Sequence, residues 1–252
     1  MASVLFDDWV WSYSRLQSFC QCPWGFAQRY LYGLQDSRPE PGFYAAYGSL
    51  VHSLHERWYK GTITKDQLIP EFISGFIKLP DFDPDRRSQY LLNGLDYFGK
   101  DIYTPPSIVG VERRFRFMVG EYKFQGIIDL LYEEDGGLVI LDHKSHNLQP
   151  RTGRKKPTAK DLELDAYLRQ LYLYAHAVRQ QKLGAVKKLV FNCFRTGIRI
   201  EEPHSAAAEL EAVNWAVDTI RQIENTTAFM PNPEWFFCRN LCDTRAICDY
   251  RE

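Results

Sequence analysis

From Val109 to Lys144 the chain alternates apolar and polar residues through two tight turns, and this stretch constrains the fold more than any other. Val109, Val111, Phe115 and Phe117 alternate with polar neighbours, the period of a half-buried strand. Gly120-Glu121 makes a turn, and Tyr122, Phe124, Gly126, Ile128, Leu130 and Tyr132 continue the alternation in a second strand. Asp135-Gly136-Gly137 turns again, and Leu138 to Lys144 forms a third strand.

Helical patterns flank this meander. Residues 12–34 read as a helical segment capped by Ser12 or Ser14, which Pro23 breaks or restarts at a first-turn position. Residues 43–60 place Leu50, Leu54 and Trp58 on one face. Thr64 with Gln67 resembles a capping box for a third helix. Asp83-Pro84 opens a fourth, with Leu91, Leu95, Phe98 and Ile102 inward. Beyond the meander, 161–182 returns to helix, 186–200 reads as one or two strands, and 205–225 as a last helix. Pro231-Asn232-Pro233 ends regular structure before a cysteine-rich tail. The order implies an α/β architecture, a central mixed sheet flanked by helices. We expect one domain, with a mainly helical part at 11–104, a core at 105–225, and a tail at 231–252 that packs back on the N-terminus.

The 252 residues, 45% hydrophobic and 25% charged, suffice for a sizeable core. No apolar run approaches the roughly 18 residues of a membrane span. The opening MASVLFDDWVW has two aspartates and no basic residue, unlike a secretory signal, so a cytoplasmic protein is expected. Net charge is −1, which gives no overall basic signature for a nucleic-acid binder. A local basic run, Arg151, Arg154, Lys155, Lys156 and Lys160, is either a solvated loop or a contact surface for phosphates.

The chemistry concentrates at residues 126–146. Asp129 lies on the second strand of the meander, Asp142 and Lys144 on the third. Paired strands are about 4.8 Å apart, so the two acids approach if register puts them on one face. Asp142 and Lys144, two residues apart, share a face. Two carboxylates side by side in an apolar hairpin repel, and a divalent cation with a taste for oxygen, Mg²⁺ or Mn²⁺, relieves that repulsion. The lysine would then orient water and stabilise charge on a phosphate. A purely structural salt bridge is the bland alternative.

Gly126-Ile127-Ile128-Asp129 followed by Leu141-Asp142-His143-Lys144 resembles the PD-(D/E)XK nuclease superfamily, specifically its RecB-like branch, which includes AddB and the Cas4 proteins. Gly48-Ser49-Leu50-Val51-His52 resembles the helix that supplies that branch's metal-binding histidine. Gln170 with Tyr174 resembles its Q-x-x-x-Y helix, and Trp11 to Leu16 leading to Cys22-Pro23 its N-terminal signature. The resemblance runs from about residue 11 to 249.

It implies a restriction-endonuclease-like core in which His52, Asp129 and Asp142 ligate Mg²⁺ or Mn²⁺, with the main-chain carbonyl of His143. Lys144 would position the attacking water. Gln170 and Tyr174 would contact DNA or support the site; apart from the resemblance, the charge of the basic run makes Arg154, Lys155 and Lys156 candidates for DNA binding or site support. Asp142 stands where many relatives carry Glu. His55 competes with His52 on the same helix, and Glu112 could add a carboxylate from the first strand.

The activity implied is an exonuclease on single-stranded or frayed DNA ends, in repair or recombination. The alternatives are a non-catalytic DNA-binding subunit of a helicase–nuclease or recombination complex, and an iron–sulfur protein of another class. No G-x-x-x-x-G-K-[ST] motif occurs, so unwinding would come from a helicase in trans.

Cys238, Cys242 and Cys248 supply three thiols that need a fourth to close a zinc site or hold a cubane cluster. The resemblance assigns Cys22 as the fourth and favours [4Fe–4S] over zinc. The C-x3-C-x5-C spacing departs by one residue from the more usual C-x2-C-x5-C and keeps Cys20 as an alternative. Cys193, among alternating apolar residues, reads as a core residue.

Overall fold

The computed structural model describes residues 6–34 and 42–250. Strands β1 (Ser107–Val119), β2 (Tyr122–Glu134) and β3 (Gly137–Lys144) form the expected antiparallel meander. Its second turn places Asp135 at φ 51° and Gly136 at φ 69°, the pair of positive values a two-residue hairpin turn requires. The long helix α6 (Ala159–Gln180) then crosses over and returns the chain to β4 (Val186–Cys193), parallel to β3. The final strand, β5 (Ile198–Pro203), adds antiparallel to β4. The result is a five-stranded mixed sheet in sequential order.

Helices cover both faces. The N-terminal helix α1 (Tyr13–Gln21), α6 and α7 (Ala206–Asn225) cover one, burying Leu16, Leu164, Leu168, Leu171 and Ile220 against Phe115, Ile128, Ile140 and Phe191. Helix α3 (Phe43–Tyr59) reaches the opposite face, where Tyr59 packs with Leu130, Tyr132, Val139 and Leu141. Outside it, α4 (Lys65–Ile77) and α5 (Pro84–Gly99) enclose an aromatic core of Phe43, Tyr47, Phe72, Phe76 and Phe98. The caps are those read from the sequence. Ser12 accepts from the Arg15 N–H, Thr64 and Gln67 form a capping box, and Asp83 accepts from the Arg86 N–H.

Segment 12–34 is broken at Pro23, as expected, while two other expectations need correction. Pro23 starts a short helix α2 (Pro23–Phe26), capped by the Cys22 sulfur accepting from the Gly25 N–H, and a π turn (Ala27–Leu31) follows. Ile102 lies beyond the end of α5, yet still packs on the helical core. The tail is not irregular. The Glu234 carboxylate accepts the N–H groups of Phe236 and Phe237 and so caps α8 (Trp235–Asn240), and a 3₁₀ turn follows at Arg245–Ile247.

Val111 and Phe115, of equal parity on β1, face different cores, as do Leu130 and Ile128 on β2. The alternation slips between them, at Glu112 and Asp129. Glu112 adopts φ 50°, a left-handed conformation rare for a non-glycine residue.

The tail packs onto the N-terminal helices. Arg29 pairs with Asp243 at 2.7 Å, the Asn232 amide donates to the Gln21 carbonyl at 3.1 Å, and the Trp24 N–H donates to the Met230 carbonyl at 3.2 Å. Among the described residues no helix is long and apolar enough to cross a membrane.

Candidate metal centre and catalytic cleft

A cleft of about 840 Å³ opens where α3, the slipped segments of β1 and β2, the end of β3 and α6 meet. The slip creates it. The β2–β3 ladder stops at Leu130–Leu141, so Asp129 and Asp142 occupy the next, unpaired rung. There the Asp129 carboxylate accepts the His143 backbone N–H at 2.8 Å. That N–H, freed by the end of the ladder, fixes the acid at the mouth of the hairpin.

Three elements converge on this point. His52 from α3 places Nδ1 3.4 Å from Asp129 Oδ2. Ligand atoms of His52, Glu112 and Asp129 all lie within 4.8 Å of one another. The left-handed backbone at Glu112 places this carboxylate opposite Asp129 in the β1–β2 register, between the Val111–Leu130 and Arg113–Ile128 pairs. Strain of this kind concentrates at functional sites.

Asp142 and Lys144 complete the constellation. Asp142 is 4% exposed. Lys144 Nζ pairs with this buried carboxylate, 2.8 Å from Asp142 Oδ2. On its other side Lys144 donates to Gln170 Oε1 at 2.9 Å, and Gln170 donates to the Tyr174 hydroxyl at 2.9 Å. Gly126 explains how Tyr174 comes so close. A Cβ at residue 126 would collide with the Tyr174 ring, so only glycine admits the helix at this point of β2.

The electrostatics suit a cation. Burial first, then the neighbouring Asp142, pushes the Asp129 pKa well above the usual carboxylate range. Burial chiefly raises Glu112 as well, with Glu56 adding to it. Burial holds the His52 imidazole below its ordinary pKa against the pull of Asp142, which keeps the ring neutral and able to ligate. For Lys144 burial opposes the charge, but attraction to Asp142 and Asp129 outweighs it and the pKa rises. The amine stays an ammonium. Crowded carboxylates beside a neutral imidazole fit a Mg²⁺- or Mn²⁺-sized ion.

His52, Asp129, Asp142, Lys144, Gln170 and Tyr174 are therefore brought together. His143 contributes its backbone N–H, while its ring stacks on His55 with centroids 3.7 Å apart. His55 is buried and bonded to the Tyr97 hydroxyl at 2.8 Å, and it does not line the cleft. Arg154, Lys155 and Lys156 are exposed on the β3–α6 loop and do not line the cleft. Arg151 is held by Asp165 and Glu202. Sequence reading gave Glu112 only a marginal place, and it passed over Arg114, Arg116, Gln125 and Tyr167, which also line the cleft.

At the tail, the Cys242 sulfur lies 3.3 Å from the buried Thr244 hydroxyl. That hydroxyl and the Cys22 sulfur both lie beside Gly25, 3.4 and 3.7 Å from where its Cβ would be. Burial, then Cys242, Cys22 and Cys238 in turn, raises the Cys248 pKa. Cys20 is exposed, and its neighbours are Arg169 and Thr219 rather than thiols. Cys193 is buried in the core as expected.

Comparison with known proteins places these features in a family. A family model described as the PD-(D/E)XK nuclease superfamily matches residues 10–249. Among solved structures, a "Putative exonuclease" from Eubacterium rectale aligns with a TM-score of 0.54 at 13% identity, covering 96% of this chain and 89% of that one. The structure of SSO0001 aligns with a TM-score of 0.40 at 16% identity, over 96% and 87% of the two chains. A search of curated proteins gives no match. Both the match, which spans nearly the whole chain, and the geometry of the cleft lead to one assignment: this chain belongs to the PD-(D/E)XK nuclease superfamily.

Proposed function

We propose that this protein is a Mg²⁺- or Mn²⁺-dependent deoxyribonuclease that hydrolyses phosphodiester bonds as an exonuclease on single-stranded or frayed DNA ends. The observation that carries the reading is the convergence of His52, Glu112 and Asp129 within 4.8 Å, beside the buried Asp142 and Lys144. His52, Asp129 and Asp142 would hold the ion, with Glu112 as a fourth side chain and the His143 carbonyl as a main-chain donor. When bound, a divalent ion supplies Lewis-acid polarisation of a phosphate oxygen and lowers the pKa of a water.

The chain's own groups do the rest. Lys144, an ammonium held between Asp142 and Gln170, presents its charge to the phosphate and orients the attacking water. Gln170 and Tyr174 support the lysine through one hydrogen-bonded chain and line the cleft beside it. Exonuclease character is favoured by the expectation from sequence and by the name given to the Eubacterium rectale neighbour. Labelled single-stranded, duplex and frayed-end DNA incubated with Mn²⁺ tests it. Stepwise release of nucleotides from single-stranded ends supports the reading, and cleavage at internal positions without release of terminal nucleotides contradicts it.

We further propose that Cys22, Cys238, Cys242 and Cys248 hold a [4Fe–4S] cluster that ties the chain ends together. The surroundings of Thr244 and Cys248 favour Cys22 over Cys20 as fourth ligand. Such a clip closes a very long loop and so restricts the unfolded chain.

A further inference from the structure

The cleft is divided by charge. Its carboxylates, Glu56, Glu112, Asp129 and Asp142, gather at the metal end. Beyond Glu112, β1 carries Arg114 and Arg116, both exposed and both lining the cleft. Neither has an ion-pair partner among the described residues, whereas Arg151, Arg179 and Arg199 elsewhere are each paired with carboxylates. Gln125, paired across the ladder with Arg116, lines the same wall. Trp11 is stitched to β2 there, donating to the Lys123 carbonyl at 2.8 Å and accepting from the Gln125 N–H at 2.9 Å. This brings the Ser12 and Ser14 hydroxyls, 3.0 Å apart, to the wall beside Gln125. This end of the cleft thus holds two guanidinium groups outside any ion pair, Arg114 within electrostatic reach of Glu112, together with an amide and two hydroxyls.

Alternate residues on a strand advance by about 7 Å, close to the spacing of consecutive phosphates in an extended nucleic-acid strand. Arg114 and Arg116 therefore lie one such step apart, on the part of β1 that runs outward from Glu112. We propose that Arg114 and Arg116 form a two-phosphate track. It binds the phosphates that follow the scissile one on a single strand, with Gln125, Ser12 and Ser14 as neutral donors. The arginines suit the task because a guanidinium fork binds phosphate oxygens in pairs. The proposal rests on the nuclease reading for its substrate, and it extends that reading by assigning the direction in which the strand leaves the site.

The test compares wild type with Arg114→Ala, Arg116→Ala, the double variant and the double Lys variant. Binding of a labelled oligothymidylate of about 10 nucleotides is measured without divalent cation across a salt series. Hydrolysis of the same oligomer and of thymidine 5′-p-nitrophenyl phosphate, which has a single phosphodiester, is measured with Mn²⁺. The track predicts roughly tenfold weaker oligomer binding in the double alanine variant, a salt slope reduced by roughly 0.7 per arginine removed, and partial rescue by lysine. It also predicts a raised KM for the oligomer with little change on the single diester. Oligomers with and without terminal phosphates separate the two sources of phosphate. A defect confined to phosphorylated ends assigns the track to a terminal phosphate, and an equal defect on both assigns it to internal ones.

Unchanged oligomer binding and salt slope in the double variant overturn the proposal. So does an equal loss on both substrates. If wild type cleaves neither substrate, the nuclease reading fails, while the cation-free binding series still decides the track.

Discussion

The Asp129 carboxylate accepts the backbone N–H of His143 at 2.8 Å, one rung beyond the last paired residues of β2 and β3. A side chain thus takes over a main-chain hydrogen bond where the hairpin opens. It leaves Asp129 and Asp142 together but unpaired through the backbone, free to share a third partner.

Glu112 faces this pair from β1, and burial raises its pKa, with Glu56 adding to the effect. The Glu112→Gln variant should therefore have a higher Tm than wild type in metal-free buffer, because a sheltered charge is removed. It should bind Mn²⁺ roughly tenfold more weakly, having lost one anionic ligand. Calorimetric titration and thermal unfolding on the same samples check both. Unchanged Mn²⁺ affinity would remove Glu112 from the ligand set.

Gly126→Ala drives a Cβ into the Tyr174 ring. We expect a loss of about 1–3 kcal/mol of stability, as for overpacked cores, and a larger proportional loss of activity as Gln170 and Lys144 shift. Adding Tyr174→Ala should recover part of the stability, so the two changes will not sum. Additive losses in urea unfolding would contradict the contact.

Much of this was legible in the sequence, and what was not has physical causes. Period-two alternation predicted the meander, and capping residues predicted the helix starts, because both signals are local. The slip at Glu112 and Asp129 was invisible, since Val111 and Phe115 have the same parity and only their different cores show that the strand has rotated between them. His52 and His55 could be ranked by family spacing alone. Packing separates them, sending one to the cleft and the other into a stack on His143. The tail's helix was missed because its cap, Glu234, follows a Pro-Asn-Pro stretch that reads as a stop. The basic loop carries charge without direction, and Arg154, Lys155 and Lys156 lie outside the lining of the cleft. Arg114 and Arg116, spaced along a strand, drew no notice although they line the cleft.

Asp161 anchors the loop between β3 and α6. It accepts from the Thr152 N–H at 2.8 Å and from the Thr152 hydroxyl, the Thr158 N–H and the Thr158 hydroxyl, each at 2.7 Å. These bonds, that from the Thr152 N–H foremost, hold its pKa far below the usual carboxylate range. A depressed folded-state pKa gives stability that is present above the unfolded value of about 4 and lost as pH falls toward the folded one. Urea unfolding of wild type and Asp161→Asn should therefore differ most at neutral pH and converge in acid. A gap that widens on acidification contradicts this.

At the other end of the chain, Cys22→Ser should give colourless protein with a lowered Tm when purified without oxygen. Cys20→Ser should stay brown, because its thiol faces Thr219 and Arg169 rather than the other cysteines. Retained colour in Cys22→Ser and loss in Cys20→Ser would reverse the assignment.

Mn²⁺-dependent hydrolysis of labelled single-stranded DNA by wild type and Asp142→Ala, with circular dichroism to verify the fold, tests the central claim most directly. The site described here predicts efficient cleavage by wild type and none by a variant that remains folded. Cleavage that survives in Asp142→Ala would show that the reaction is not carried out at the cleft between Asp129, Asp142 and Lys144.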